Sequence, residues 1–191
     1  MGVPYAAAPV GSKRWRMPSP VPAWQGVRSA TQFARSCGQD ISGGFGPYAS
    51  EYMVPEGVSE DCLYLNIWRP SKRSSTPLPI MVWIPGGGFT SGSGSVPIYN
   101  GAPMASRDVV VNINYRLGVF GFLAHPELTK QGQGSGNFGF ADVIAALEWV
   151  KENAAALGGD GNRITLAGQS AGSMAIHDMI ASPAAKNLFA R

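Results

Sequence analysis

The chain has 191 residues, 45% of them apolar, which is enough length and apolar content for one domain with a core. Only 14% of residues are charged and the formal net charge is +3, too small a balance to argue for a nucleic-acid partner. The longest apolar runs, such as Ile80–Ile84 and Val109–Val111, are far too short to span a bilayer.

Residues 1–60 are rich in Pro, Gly, Ser and Arg without a sustained period, and read as loops and short extended pieces. The basic runs Lys13-Arg14-Trp15-Arg16 and Lys72-Arg73 read as solvated faces. No basic start followed by an apolar run opens the chain, so no signal peptide is legible, and that favours a cytoplasmic location. The two cysteines, Cys37 and Cys62, leave another possibility open: either two buried thiols, or a disulfide. A disulfide would restrict the unfolded chain by about 3 kcal/mol in the entropic model, and would imply an exported precursor.

Residues 63–69 have a strand composition that Pro70 stops, and Lys72–Pro77 is a polar turn. Pro79–Ile84 is a continuous apolar run, as expected of a strand buried on both faces of a parallel sheet, and it ends in Pro85-Gly86-Gly87-Gly88. Asp108–Asn114 reads as a second buried strand. From Asp142 onward, Val143, Leu147, Val150, Ala154 and Leu157 mark one face of a helix, which Gly158-Gly159 should end. Arg163–Ala167 is a short strand, and Ala171 to about Ile180 a helix with Pro183 beyond it. Strands alternating with helices predict an α/β fold with a mostly parallel sheet.

Between the last strand and the last helix stands Gly168-Gln169-Ser170-Ala171-Gly172, the G-x-S-x-G form of a nucleophile elbow. Alone it is a weak signal that a Ser-capped glycine turn would also satisfy. Its position between strand and helix, downstream of a strand that ends in three glycines, makes Ser170 the candidate nucleophile. The oxyanion that such chemistry develops needs backbone N–H groups. Ala171 offers one, and Gly86-Gly87-Gly88 offers others. A phosphate cradle fits those glycines poorly, because neither phosphate-binding glycine spacing follows the strand. Neither histidine suits the role of base. His177 lies seven residues beyond Ser170 on the same helix, about 10 Å along its axis, and His125 precedes Pro126 at the end of a strand or the start of a loop.

These segments together resemble the N-terminal part of the type-B carboxylesterases, an α/β-hydrolase family that includes bacterial para-nitrobenzyl-type esterases, liver carboxylesterases, some fungal lipases and cholinesterases. The resemblance rests on Gly2-Val3-Pro4-Tyr5-Ala6, Ser59-Glu60-Asp61-Cys62-Leu63-Tyr64-Leu65-Asn66, Trp83–Phe89 and Asn114-Tyr115-Arg116-Leu117-Gly118. It continues through Gly136-Asn137-Phe138-Gly139, Ala145–Val150, Gly158-Gly159-Asp160 and the serine elbow, so it covers nearly the whole chain.

The resemblance implies a carboxylic ester hydrolase with Ser170 as nucleophile and Gly87, Gly88 and Ala171 as oxyanion donors. It implies that Cys37 pairs with Cys62, and that Arg14–Glu60 and Arg116–Asp142 are structural ion pairs. No metal or organic cofactor is implied. The catalytic acid and histidine fall beyond Arg191, so residues 1–191 read as a single, incomplete hydrolase domain that ends after the helix following the nucleophile. Such a piece is expected to leave a sheet edge uncovered, to need the rest of the domain, and to be inactive by itself. A disulfide would place the full-length precursor outside the cytoplasm, secreted or periplasmic. Two departures bear on substrate: Gln169 stands where a Glu usually precedes the serine, and no Trp lies between Cys37 and Cys62 to stack on a quaternary ammonium. Both turn the expectation away from cationic esters. Pro85 stands where His or Tyr is frequent, with little consequence for backbone donors. The competing class is a non-catalytic interaction or adhesion module of the same fold, which would typically lack the serine.

Overall fold

The computed structural model describes residues 1–42, 50–55, 57–72, 74–132 and 134–191; Arg73 of the second basic run lies outside them. Seven strands and four α-helices are formed by the described residues. The strands are β1 (Val3–Pro4), β2 (Ser36–Cys37), β3 (Val58–Ser59), β4 (Tyr64–Trp68), β5 (Leu78–Ile84), β6 (Val109–Ile113) and β7 (Gly159–Gly168). The helices are α1 (Gly118–Phe122), α2 (Pro126–Lys130), α3 (Phe138–Leu157) and α4 (Ala171–Ala181).

Five strands form one mixed sheet in the order β1-β4-β6-β5-β7. β5 is parallel to both β6 and β7, whereas β4 is antiparallel to β6 and β1 antiparallel to β4. Only β4 therefore runs against the other four, so the sheet is mostly parallel in direction. Parallel strands need a crossover connection, and α3 lies in the one that carries the chain from β6 past β5 to β7. It packs on both strands and touches α4, which packs on β5 and β7, so the two helices share a face of the sheet.

The core lies between that face and the helices. Ile80, Val82 and Ile84 of β5, Val109, Val111 and Ile113 of β6 and Ile164 of β7 are fully buried against Val143, Leu147 and Val150 of α3. β6 is buried along its whole length, as expected of a second buried strand, and its one polar residue, Asn112, donates to the carbonyls of Gly94 and Tyr99. β5 departs from the expectation of two buried faces: Met81 and Trp83 on its opposite side are only half-buried among the described residues. Gly158 caps α3 in the left-handed conformation, φ 81°, and donates to Ala154 and Ala155.

The outer edge of β7 is not wholly uncovered. Ala190 N–H donates to Ile164 O at 2.8 Å and Leu166 N–H to Arg191 O at 2.8 Å, so the last two residues already lie along it.

Cys37 and Cys62 form a disulfide with Cα atoms 4.9 Å apart, which ties β2 to the segment entering β4. Arg116 and Asp142 face each other in the interior, with side chains 3% and 0% exposed. Two guanidinium bonds, Nε to Oδ2 at 2.8 Å and Nη2 to Oδ1 at 2.7 Å, are joined by the Arg116 N–H to Oδ2 at 3.0 Å. Burial pushes the Asp142 carboxyl up, against the hydrogen bonds and charge of Arg116, which pull it down. Arg14 makes a two-point contact with Glu60, each bond 2.5 Å, but this pair is only half-buried, so solvent partly screens it.

Removing one partner of a buried pair strands the other charge. Asp142→Asn should therefore lower the unfolding free energy by about 3–5 kcal/mol in urea denaturation, while Glu60→Gln changes it far less.

Candidate active site

β7 runs directly into the elbow. Ser170 sits at its tip with φ 55° and ψ −124°, the cap position of α4, and is exposed. A residue with a Cβ rarely adopts this conformation, at a cost of about 1–3 kcal/mol. The turn is held because the chain folds back at once: Gly172 N–H donates to Gln169 O at 3.0 Å and Met174 N–H to Ser170 O at 3.1 Å. Gly172 is the residue that lets α4 start there. A Cβ on it would lie 2.0 Å from Ile84 O, at the end of β5, so the helix meets that strand backbone to backbone.

The segment after β5 turns over the serine. A Cβ on Gly86 would lie 2.4 Å from Gln169 O and 3.1 Å from the Ser170 Cβ, so this loop touches the elbow directly. Beyond it Gly87 O accepts from the N–H groups of Thr90 and Ser91, at 3.1 and 3.0 Å, closing a tight turn. The N–H groups of Gly87, Gly88 and Ala171 take part in none of the hydrogen bonds found among the described residues. Burial pushes the Tyr115 hydroxyl pKa well up, and the protonated group donates to Pro85 O at 3.0 Å, fixing the start of the loop from the end of β6. Phe89 anchors the far side: its ring stands 5.3 Å from Phe122 and 5.6 Å from Phe140, and its carbonyl accepts from Gly118 N–H at 2.7 Å.

Beside the elbow is a pocket lined by Gln39, Asp40, Ile41, Tyr52, Met53, Val54, Gly86, Gly87, Ser91, Gly92, Val96, Tyr99 and Gln169. Its wall is mainly apolar and aromatic, with Asp40 the one charged side chain among the described lining residues. The Tyr99 hydroxyl donates to Gln169 Oε1 at 3.4 Å, and the Tyr99 ring packs on Trp83 at 5.1 Å.

The structure thus brings Ser170, Ala171 and the Gly86–Gly88 loop together, and leaves Arg14–Glu60 and Arg116–Asp142 within the framework. Neither histidine joins the site. His177 is exposed on α4 seven residues beyond the serine. His125 caps α2, its Nδ1 accepting from Glu127 N–H at 3.2 Å. Gln39 is the residue that sequence reasoning missed, since a glutamine two positions after a cysteine carries no signal of its own. Among the described residues, no cluster of His, Cys, Asp and Glu is placed to hold a metal ion.

The strain and the close approach can be separated by substitution. Ser170→Gly should raise the unfolding free energy by about 1 kcal/mol, the relieved strain net of glycine's extra unfolded freedom. Gly172→Ala should lower it by about 3 kcal/mol. Urea titration of both variants checks the pair.

Residues 1–191 match the model of the carboxylesterase family. The fumonisin B1 esterase of Sphingopyxis macrogoltabida is 46% identical over 99% of this chain, and the para-nitrobenzyl esterase of Bacillus subtilis 44% identical over 98%. The mouse (Mus musculus) cholinesterase is 43% identical over 100% of the chain. The chain spans about a third of the length of these relatives, 34%, 37% and 32% respectively. The solved structure of a thermophilic PNB esterase superposes with a TM-score of 0.88 at 43% identity, over 98% of this chain and 38% of that one. The fold is that of the α/β-hydrolases, and the chain belongs to the carboxylesterase family.

Proposed function

We propose that these residues form the nucleophile half of a carboxylic ester hydrolase, with the general base and the acid that orients it supplied by residues beyond Arg191. The observation that carries the reading is the juxtaposition at Ser170: an exposed hydroxyl on a strained turn, with the Gly86 backbone pressed against its Cβ side.

In this reading Ser170 Oγ attacks the ester carbonyl carbon while a histidine takes the hydroxyl proton. Negative charge gathers on the carbonyl oxygen, which lies against the N–H groups of Gly87, Gly88 and Ala171. Those donors cost no reorganisation, because their loop is already held by Tyr115, Phe89 and the turn at Gly87. Ala171 N–H also sits at the start of α4, where the helix dipole favours negative charge. Collapse of the tetrahedral adduct expels the alcohol, protonated by the same histidine, and leaves the acyl group on Ser170. Water then attacks the acyl carbonyl by the same steps, and the acid leaves.

The pocket beside the elbow would receive an uncharged, largely apolar part of the ester. The neutral Gln169 next to the nucleophile supports that preference over cationic esters. The disulfide is compatible with an oxidising, extracellular or periplasmic compartment, and we place the protein there. No helix among the described residues is long and apolar enough to cross a membrane.

His125 and His177 are unsuited to the base role, because a base must come within about 3 Å of the serine hydroxyl, directly or through one water. Residues 1–191 alone should therefore hydrolyse p-nitrophenyl acetate no faster than buffer. A chimera in which they are continued by the part of the Bacillus subtilis para-nitrobenzyl esterase beyond the matched third should turn it over. Ser170→Ala in that chimera should lower kcat by about 10⁴–10⁶-fold. A chimera whose turnover survives that substitution contradicts the nucleophile assignment, and serine-dependent turnover by residues 1–191 alone contradicts the missing base.

A further inference from the structure

We propose that Gln39 is a positioning residue for the oxyanion loop: its carboxamide clamps Gly92 and so holds the loop that donates to the developing oxyanion. The inference rests on the ester-hydrolase reading above and adds to it a residue that lines the pocket beside the elbow and acts on the reacting atoms only through the loop it holds.

Both groups of the side chain are engaged. Oε1 accepts from Gly92 N–H at 2.8 Å, and Nε2 donates to Gly92 O at 2.8 Å. The carboxamide thus pairs with Gly92 as a neighbouring strand would, across 53 positions of sequence. Nε2 also donates to Cys37 O at 3.0 Å, which fixes the side chain against its own backbone. That backbone is itself anchored: Cys37 pairs with Ser59 in the parallel β2–β3 ladder and is bonded to Cys62. Gln39 therefore reaches the loop from a base that cannot drift.

The clamp bears on the donors through contact. A Cβ on Gly92 would lie 2.2 Å from Gly86 O, and one on Gly87 would lie 2.1 Å from Ser91 O, so the two limbs of the loop are stacked without a gap. Pulling Gly92 away lets Gly86 and Gly87 move, and with them the N–H groups proposed to meet the oxyanion. Neighbouring anchors limit the movement. Phe89 is seated among Phe122 and Phe140, and beyond the clamp Gly94 N–H is held by Asn114 Oδ1 at 2.8 Å. The predicted effect is thus a displaced donor set in a folded protein. Misplacement by an ångström or less costs about 10- to 100-fold in rate, and it falls on the transition state, which needs the donors most.

Two measurements test this. Gln39→Met keeps length and volume but forms none of the three bonds; Gln39→Glu, ionised, keeps the acceptor and loses both donations. Hydrogen exchange on residues 1–191 reads the clamp without activity. Both variants should speed exchange at Thr90 and Ser91, and Gln39→Met also at Gly92, while amides of β6 and α3 stay as protected as before. In the chimera, rates per phosphonate-titrated active site should show kcat lowered about 10- to 100-fold with KM within about twofold. The affinity of a trifluoromethyl ketone, which mimics the tetrahedral adduct, should fall in step with kcat/KM.

Unchanged exchange at Thr90 and Ser91 overturns the clamp. Faster exchange with unchanged kcat and ketone affinity overturns its bearing on the oxyanion. Failure of the ester-hydrolase reading shows separately, as turnover that Ser170→Ala does not abolish.

Discussion

The whole site depends on one close approach, that of Gly172 to the carbonyl of Ile84. With no side chain between them, the first turn of α4 rests on the end of β5, and the chain leaving β7 must reverse within two residues. That reversal puts Ser170 at φ 55° and exposes its hydroxyl. A larger residue at 172 would lift the helix, relax the turn and withdraw the serine together. The strain at Ser170 is thus sustained by packing elsewhere, as strained functional turns generally are.

Parallel pairing explains why the remaining parts gather at the same place. β6, β5 and β7 are adjacent and point the same way, so their C-terminal ends open on one edge of the sheet. The loop after β5 brings Gly86–Gly88, the elbow after β7 brings Ser170 and Ala171, and the segment after β6 brings Tyr115 under Pro85. The buried Arg116–Asp142 pair stands one residue beyond Tyr115 and joins that segment to α3. Because the pair is buried, its removal should be felt as lost stability before lost chemistry.

Much of this was legible in the sequence, because it rested on local signals. The apolar runs marked β4, β5 and β6 to within a residue or two, and Gly158 marked the end of α3 through the left-handed cap it adopts. The elbow glycines marked the turn. What was hidden depends on partners distant along the chain. β1 is two residues long and exists because Val3 pairs with Leu65. The first half of β7, Gly159 to Asn162, has no strand propensity, and it joins the sheet where Gly159 pairs with Leu78. α3 begins at Phe138 rather than Asp142 because its first turn, with Gly139, is stabilised by burial and not by propensity. Gln39 belongs with these: its meaning lies in Gly92.

We infer that the donors for the oxyanion are built entirely within these residues, whatever supplies the base. A crystal structure of the 1–191 esterase chimera inactivated by an alkyl fluorophosphonate tests that claim most directly. Phosphorus should be bonded to Ser170 Oγ, with the phosphoryl oxygen about 2.7–3.1 Å from the N–H groups of Gly87, Gly88 and Ala171. A phosphoryl oxygen turned to solvent or held by other groups, or an adduct on a different residue, would contradict it.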